Sequence, residues 1–169
     1  MEAELKVFLD TSVLFAAVLS DTGGARLILK LGEAGSISLW IGPWVLKEAE
    51  AVLDRKSPQS KAYFALLLDQ SRVQVGEEPG ESLHRQAESV IAYVPDAQVV
   101  AEALALGVDY LVSFDRKHLV GNPRAGELPF PIGTAGDFLE WYREWLVERE
   151  TDADGNVRVT IVRTEGPKK

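Results

Sequence analysis

The sequence predicts an α/β fold in which a mostly parallel β-sheet is covered on both faces by helices. The chain has 169 residues, the size of one compact domain with a substantial core. Its strand candidates are short apolar runs, which is typical of strands buried on both faces. These runs alternate with segments whose apolar residues recur at helical spacing. Such alternation builds parallel sheets through right-handed crossovers.

The first half of the chain contains three predicted strands and three predicted helices. The strands are Leu5–Leu9, Ile37–Ile41 and Arg72–Val75. The helices are Gly24–Glu33, a segment that starts at Pro43 and continues to Leu53, and Pro58–Gln70. Pro43 suits a first helical position because the N–H that proline lacks has no partner there.

The second half continues the alternation. Helices are predicted over Leu83–Val94, from Pro95–Asp96 to the closing Gly107, and over Asp137–Glu148. The strands are Tyr110–Ser113 and a short one at Phe130–Ile132, inside a loop rich in Pro and Gly. Aromatic residues on one side of the last helix predict core or interface packing.

The C-terminal residues depart from this pattern. Asp152–Asn156 is a turn signal, and Val157–Val162 alternates as a strand does. We therefore expect a domain over residues 1–150 and a C-terminal β extension over 151–169, as an edge strand, a hairpin or a dimer contact. The turn does not continue as a calcium loop, because no Glu follows at the required distance.

Composition excludes several classes of protein. Hydrophobic residues make up 46% of the chain, but no apolar run approaches the roughly 20 residues of a membrane span. The acidic N-terminus does not resemble a signal peptide, so we expect a cytoplasmic protein. Without cysteine and with two histidines, disulfides and a zinc site are not expected. The net charge of −8 argues against a simple nucleic-acid binder, unless bound divalent metal screens the phosphates.

Four acidic residues lie at or near the carboxyl edge of the predicted sheet. Asp10 and Asp115 follow two strands, Asp96 opens the helix that leads into the second of them, and Glu48 follows another strand by about one helical turn. In a parallel sheet, ligands bind outside the carboxyl ends of the strands. Other interpretations remain open: Asp96 as a helix N-cap, Asp115 as a turn residue, and Glu50 in place of Glu48.

Four converging carboxylates without basic partners would repel one another, and their pKa values would rise unless a cation lay among them. Oxygen ligands of this kind suit Mg²⁺ or Mn²⁺. Two such ions can activate water and stabilise the oxygens of a phosphoryl displacement.

These motifs resemble the PIN-domain ribonucleases, and most strongly the VapC-like toxins of prokaryotic toxin–antitoxin pairs. The resemblance covers roughly residues 5–148. It is carried by Leu9–Leu14 (LDTSVL), by Glu48 within PWVLKE, by Asp96 at the head of a helix, and by Gly107–Asp115 (GVDYLVSFD) followed by RKHL.

The resemblance implies a three-layer α/β/α fold and RNA cleavage that depends on Mg²⁺ or Mn²⁺. It implies a cognate antitoxin as partner and a homodimer, with no membrane partner. It also implies site residues: the metal ligands Asp10, Glu48, Asp96 and Asp115, and the hydroxyls of Ser113 and of Thr11 or Ser12, which would orient carboxylates or water.

The sequence departs from the family pattern at two points. Phe114 replaces a frequent Gly and could crowd the site, and Arg116 and Lys117 stand where many relatives carry another acid. These two basic residues and Arg124 are candidates to hold the RNA backbone, or ordinary surface charges.

Three other functions compete with the nuclease hypothesis. A PIN-like binding module with little or no nuclease activity is favoured by the acidic balance and by Phe114, and opposed by the four acids. A phosphoacceptor receiver domain needs an additional acidic pair where Thr11 and Ser12 stand. A dinucleotide enzyme needs glycine spacing that Gly23–Gly24 lacks.

Overall fold

A computed structural model describes residues 4–150 and Gly155. Its sheet has five strands, all parallel, in the order β3-β2-β1-β4-β5. The strands are β1 (Lys6–Leu9), β2 (Ser38–Ile41), β3 (Gln74–Val75), β4 (Tyr110–Val112) and β5 (Ile132–Gly133). With helices packed on both faces, the predicted three-layer α/β/α fold is confirmed.

Seven helices surround this sheet in the described part of the chain. They are α1 (Thr11–Leu19), α2 (Gly24–Glu33), α3 (Pro43–Lys56), α4 (Lys61–Gln70), α5 (Glu81–Val90), α6 (Val94–Leu106) and α7 (Ala135–Glu150). One 3₁₀ turn, Pro58–Ser60, precedes α4, and another, Ala125–Glu127, lies in the loop before β5. Within these described residues no single helix is long and apolar enough to cross a membrane. Helices α1 and α2 have the necessary length and apolar character only when counted together, and the two are bent by 96° relative to each other.

The structure differs from the sequence prediction at two helices. Helix α1 was not predicted, because its sequence TSVLFAAVL is apolar on nearly all sides and has no helical periodicity. Helix α5 ends at Val90 and not at Val94. Pro95 is the reason, since it has no N–H to donate to the carbonyl of Ile91, and the chain restarts as α6 with Pro95 in its first turn.

The predicted turn at Asp152–Asn156 and strand at Val157–Val162 lie outside the described residues, apart from Gly155. The C-terminal β extension therefore stays a prediction.

Strand order reverses next to β1, and this positions the site. Strand β1 lies between β2 and β4, so the connections leave it toward opposite sides of the sheet. A crevice opens at such a point, outside the carboxyl ends of the strands. The register pairs Leu9 with Val112, and the backbone N–H of Asp10 donates to the Val112 carbonyl over 3.0 Å. Asp10 and Ser113 therefore leave adjacent strands side by side.

Candidate functional site

Asp10 is the fixed centre of the site. It is only 6% exposed and caps α1: its Oδ1 accepts the backbone N–H of Thr11 over 2.8 Å. Its Oδ2 accepts the hydroxyl of Ser113 over 2.7 Å and that of Ser12 over 3.2 Å. Three donors therefore hold this buried carboxylate in one orientation.

The same two hydroxyls tie the loop after β4 to Asp10. Ser113 Oγ accepts the backbone N–H of Asp115 over 3.0 Å. Ser12 Oγ accepts the backbone N–H of Phe114 over 3.0 Å. Both serines donate to Asp10 and accept a backbone N–H from the loop after β4, so the position of Asp115 depends on that of Asp10.

Asp115 forms a turn and also faces the site. Its Oδ1 accepts the backbone N–H groups of Lys117 over 2.8 Å and of His118 over 3.0 Å. Its Oδ2 lies 3.4 Å from His118 Nδ1. The turn-residue interpretation of Asp115 is therefore correct, and compatible with a place in the site.

Asp96 lies in the first turn of α6 and is not its N-cap, so the capping interpretation is wrong. The N-cap is Tyr93, whose side chain makes no capping hydrogen bond. Asp96 Oδ2 lies 2.8 Å from His118 Nδ1, but the ring N–H does not point at it. This oxygen is buried without a hydrogen bond among the described residues.

Helix α3 settles the choice between Glu48 and Glu50 in geometric terms. Glu48 is half-buried and faces Asp10, whereas Glu50 is exposed. Thr11 lies beside Glu48; its hydroxyl is buried without a hydrogen bond of good geometry and lowers the pKa of Glu48 slightly.

These groups meet in one cavity of about 440 Å³. All four acids line it, together with Thr11, Ser12, Phe15, Val52, Lys56 and Phe114. Lys56 is the one basic residue among those lining side chains, and its Nζ lies 5.4 Å from the centre of the Phe15 ring. Phe114 is 39% exposed and forms part of the wall, so it narrows the cavity without filling it.

The carboxyl groups of the cavity change one another's pKa values. Burial raises the pKa of Asp10, opposed by its three donors. Burial and the charge of Asp10 raise the pKa of Glu48. Burial and the charges of Asp115 and Asp10 raise the pKa of Asp96 to about 7. Only the pKa of Asp115 falls: burial raises it, but the N–H groups of His118 and Lys117 outweigh that effect.

The donor set fits a divalent metal ion. Four carboxylates face one cavity, and an oxygen of Asp96 is buried without a hydrogen bond. A cation would remove the repulsion that raises these pKa values, and carboxylate oxygens are ligands that Mg²⁺ and Mn²⁺ accept. The residues able to hold such an ion are Asp10, Glu48, Asp96 and Asp115.

The basic residues expected to hold a nucleic-acid backbone lie elsewhere. Arg116 and Lys117 are exposed and do not line the cavity. Arg124 is bound within its own loop, since its Nε lies 2.7 Å from Glu127 Oε2 and its guanidinium donates to the carbonyl of Ser89. Sequence reasoning missed Lys56, which lies two helical turns beyond Glu48 on α3.

Sequence reasoning also missed Glu102, which holds the helix that carries Glu48. Glu102 is 2% exposed, and its carboxylate accepts the backbone N–H groups of Trp44 over 2.9 Å and of Val45 over 3.1 Å. The N-cap of α3 is Gly42, which has no side chain to do this. A Cβ at Gly42 would lie 1.8 Å from Glu102 Oε2, so the two residues fit only as a pair. Burial raises the pKa of Glu102 to about 7.

Comparisons with known proteins agree with this arrangement. The PIN-domain family model matches residues 6–117, about two thirds of the chain. Among solved structures, VapBC2 from Rickettsia felis, bound to a promoter DNA fragment, is 16% identical with a TM-score of 0.57; the match covers 76% of this chain and 97% of that one. PAE2754 from Pyrobaculum aerophilum is 16% identical with a TM-score of 0.51, covering 82% and 96%. These two likenesses concern the fold. No curated protein matches the chain by sequence.

Proposed function

The chain belongs to the PIN-domain family, and on that premise we propose that it is an endoribonuclease, dependent on Mg²⁺ or Mn²⁺, that hydrolyses RNA phosphodiester bonds. One observation carries the proposal: four carboxylates line one cavity at the reversal of strand order, with Lys56 as the one basic lining residue. That donor set is suited to a divalent cation and to little else.

Each site residue has a proposed task. Asp10, Glu48, Asp96 and Asp115 would hold the metal, and one of them would accept the proton of the attacking water. Ser113 and Ser12 would keep Asp10 and the loop of Asp115 in place, as their hydrogen bonds indicate. A bound Mg²⁺ or Mn²⁺ supplies Lewis-acid stabilisation of the phosphate and lowers the pKa of water.

Substrate binding would use the rim of the same cavity. Lys56 is placed to meet a backbone phosphate, since it lines the cavity together with the acids. Its ammonium lies over the ring of Phe15, another residue that lines the cavity, and this contact favours a position on the cavity wall. We place this nuclease domain in residues 1–150, acting on RNA in the cytoplasm, with residues 151–169 as an extension.

We further propose that the protein is the toxin of a toxin–antitoxin pair and forms a homodimer. The fold likeness to VapBC2 supports a protein partner. Large apolar side chains are exposed on α1, α2 and α4: Leu19, Leu27, Tyr63 and Leu66. Light scattering of the purified chain tests the dimer, which would have about twice the 18.5 kDa mass of one chain.

The deciding experiment is cleavage of labelled single-stranded RNA by the purified chain with Mg²⁺, Mn²⁺ or EDTA. We expect cuts that require metal and disappear in Asp10→Asn and Asp115→Asn. Glu50→Gln is the matched control, because Glu50 lies on the same helix as Glu48 but is exposed. If no RNA is cut and calorimetry detects no Mn²⁺ binding that the two variants remove, the nuclease proposal fails and the PIN-like binding module takes its place.

A further inference from the structure

His118 faces the same centre as the acids, and sequence reasoning gave it no role. Its Nδ1 lies 2.8 Å from Asp96 Oδ2 and 3.4 Å from Asp115 Oδ2. One ligand atom from each of these three residues lies within 4.8 Å of the others. Adjacent ligands on a six-coordinate ion with bonds of about 2.1 Å are about 3 Å apart, so the separations of 2.8 Å and 3.4 Å match adjacent ligands in one coordination shell.

His118 Nδ1 and Asp96 Oδ2 lie close together without forming a hydrogen bond. The two atoms are 2.8 Å apart, whereas Nδ1 is in hydrogen-bond contact with Asp115 Oδ2 over 3.4 Å. Asp96 Oδ2 consequently remains buried without a hydrogen bond. A nitrogen and two carboxylate oxygens that converge, with the Asp96 oxygen left without a hydrogen bond, are arranged as ligands around a common point.

The ring of His118 is held in this orientation from two sides. It stacks on Tyr93 with ring centroids 4.3 Å apart and an interplanar angle of 15°. Its backbone is fixed as well, because its N–H donates to Asp115 Oδ1 and its carbonyl accepts the side-chain N–H of Asn122 over 2.9 Å. The Nδ1 edge therefore faces the acids before any ion is bound.

We propose that His118 is a nitrogen ligand of the metal centre and gives it a preference for first-row transition ions over Mg²⁺. This inference rests on the metal site of the proposed nuclease. Mg²⁺ takes oxygen ligands and keeps much of its water, whereas imidazole nitrogen adds affinity for transition ions. Carboxylate oxygens suit Mg²⁺ and Mn²⁺ alike, so an imidazole ligand shifts the preference of the site toward transition ions.

The test uses Mn²⁺, whose pulsed EPR spectrum reports a directly bound histidine nitrogen. We expect nitrogen modulation in the Mn²⁺-loaded wild type that is lost in His118→Ala. His84→Ala is the matched control, because His84 is the only other histidine; it keeps the signal. By calorimetry, His118→Ala weakens Mn²⁺ binding by about tenfold or more. Mg²⁺ binding stays within about threefold, because oxygen ligands carry it.

Mn²⁺ bound to the wild type without nitrogen modulation overturns this inference and leaves the nuclease proposal intact. The inference also fails if His118→Ala weakens Mg²⁺ and Mn²⁺ binding alike. Absence of any Mn²⁺ binding that Asp10→Asn removes would refute the metal site itself. The wild-type spectrum needs no variant, so the test survives even if His118→Ala does not fold.

Discussion

Replacing Glu102 by Gln tests whether a buried carboxylate from α6 positions α3. In the wild type the Glu102 side chain is 2% exposed and accepts two backbone N–H groups at the start of α3. Glutamine keeps the shape but presents one oxygen and one N–H₂ group. One helix N–H then faces the N–H₂ group, which cannot accept, whereas the second oxygen of Glu102 can accept whether ionised or protonated; the lost hydrogen bond costs about 1–3 kcal/mol at every pH.

The ionisation of Glu102 adds a pH-dependent part that glutamine lacks. Burial raises its pKa from 4.5 to about 7 in the folded protein. A raised pKa means that the folded state binds the proton more tightly than the unfolded state. The stabilisation is therefore complete below the unfolded value and is lost as pH rises through the folded value. The full loss corresponds to about 3 kcal/mol, and most of it falls between about pH 5 and about pH 8.

Urea unfolding at several pH values measures this effect as a difference between wild type and Glu102→Gln. We expect the wild type to be clearly more stable near pH 5 and the gap to shrink by about 2–3 kcal/mol near pH 8. Taking the difference removes the contributions of the other acids, which both proteins share. Glu50→Gln, exposed on α3, serves as the control and changes stability little at either pH. A gap that is constant or grows with pH would refute the reasoning.

Three further predictions concern the site and its support. Gly42→Ala destabilises the fold by about 1–3 kcal/mol in thermal unfolding, because the new Cβ collides with Glu102. Gly80 is the N-cap residue of α5, and a Cβ there would meet no other atom, so Gly80→Ala lowers the stability less than Gly42→Ala does. An equal loss of stability in the two variants would contradict the collision. Ser113→Ala weakens Mn²⁺ binding by about 10–100-fold in calorimetry, since it frees Asp10 to rotate; unchanged affinity would show that the hydroxyl orients nothing. In EDTA at neutral pH, Asp10→Asn unfolds at a higher temperature than wild type because one repelling charge is gone, and adding Mn²⁺ reverses that order. A lower melting temperature in EDTA would show that the hydrogen bonds of Asp10 outweigh the repulsion.

The fold class could be predicted because the order of strands and helices along the chain determines the type of sheet. Short apolar runs between amphipathic helices define a parallel sheet, and α2 has the bounds that its periodicity predicts. The sequence pattern did not predict helix α1, because the helix is buried on most sides and its apolar residues therefore show no helical periodicity. Helix α5 ends early because Pro95 has no N–H to donate. The apolar residues keep their helical spacing up to Val94, so this spacing predicted a longer helix.

The candidate site was predictable as a set of acids but not as a geometry. Asp10 and Asp115 follow strands, so a parallel sheet alone brings them to one edge. Helical angles could not choose between Glu48 and Glu50, because the choice depends on how α3 rotates against β1 and α6. Glu102 fixes that rotation through contacts 57 and 58 residues distant in sequence, which no local pattern displays.

His118 and Lys56 were missed for a related reason. His118 is one of two histidines, so counting residue types gave no signal of a site. Its place follows from the turn that Asp115 caps and from the stack on Tyr93, the N-cap residue of α6, which lies 25 positions earlier. Lys56 ends α3, where a basic residue is equally expected from the helix dipole.

The pairing of β1 with β4 also sets when during synthesis the candidate site can form. The ribosome releases β1 and Glu48 early, but the Leu9–Val112 register closes only after more than 100 residues have been made. Until β4 docks, Asp10 lacks the Ser113 hydroxyl, and the loop of Asp115 and His118 does not exist. A chain interrupted before β4 therefore carries three of the four acids but lacks Asp115 and the pairing that brings it to Asp10. If the proposed endoribonuclease activity is correct, this order of assembly would leave the messenger that encodes the protein uncut until translation of the domain is nearly finished.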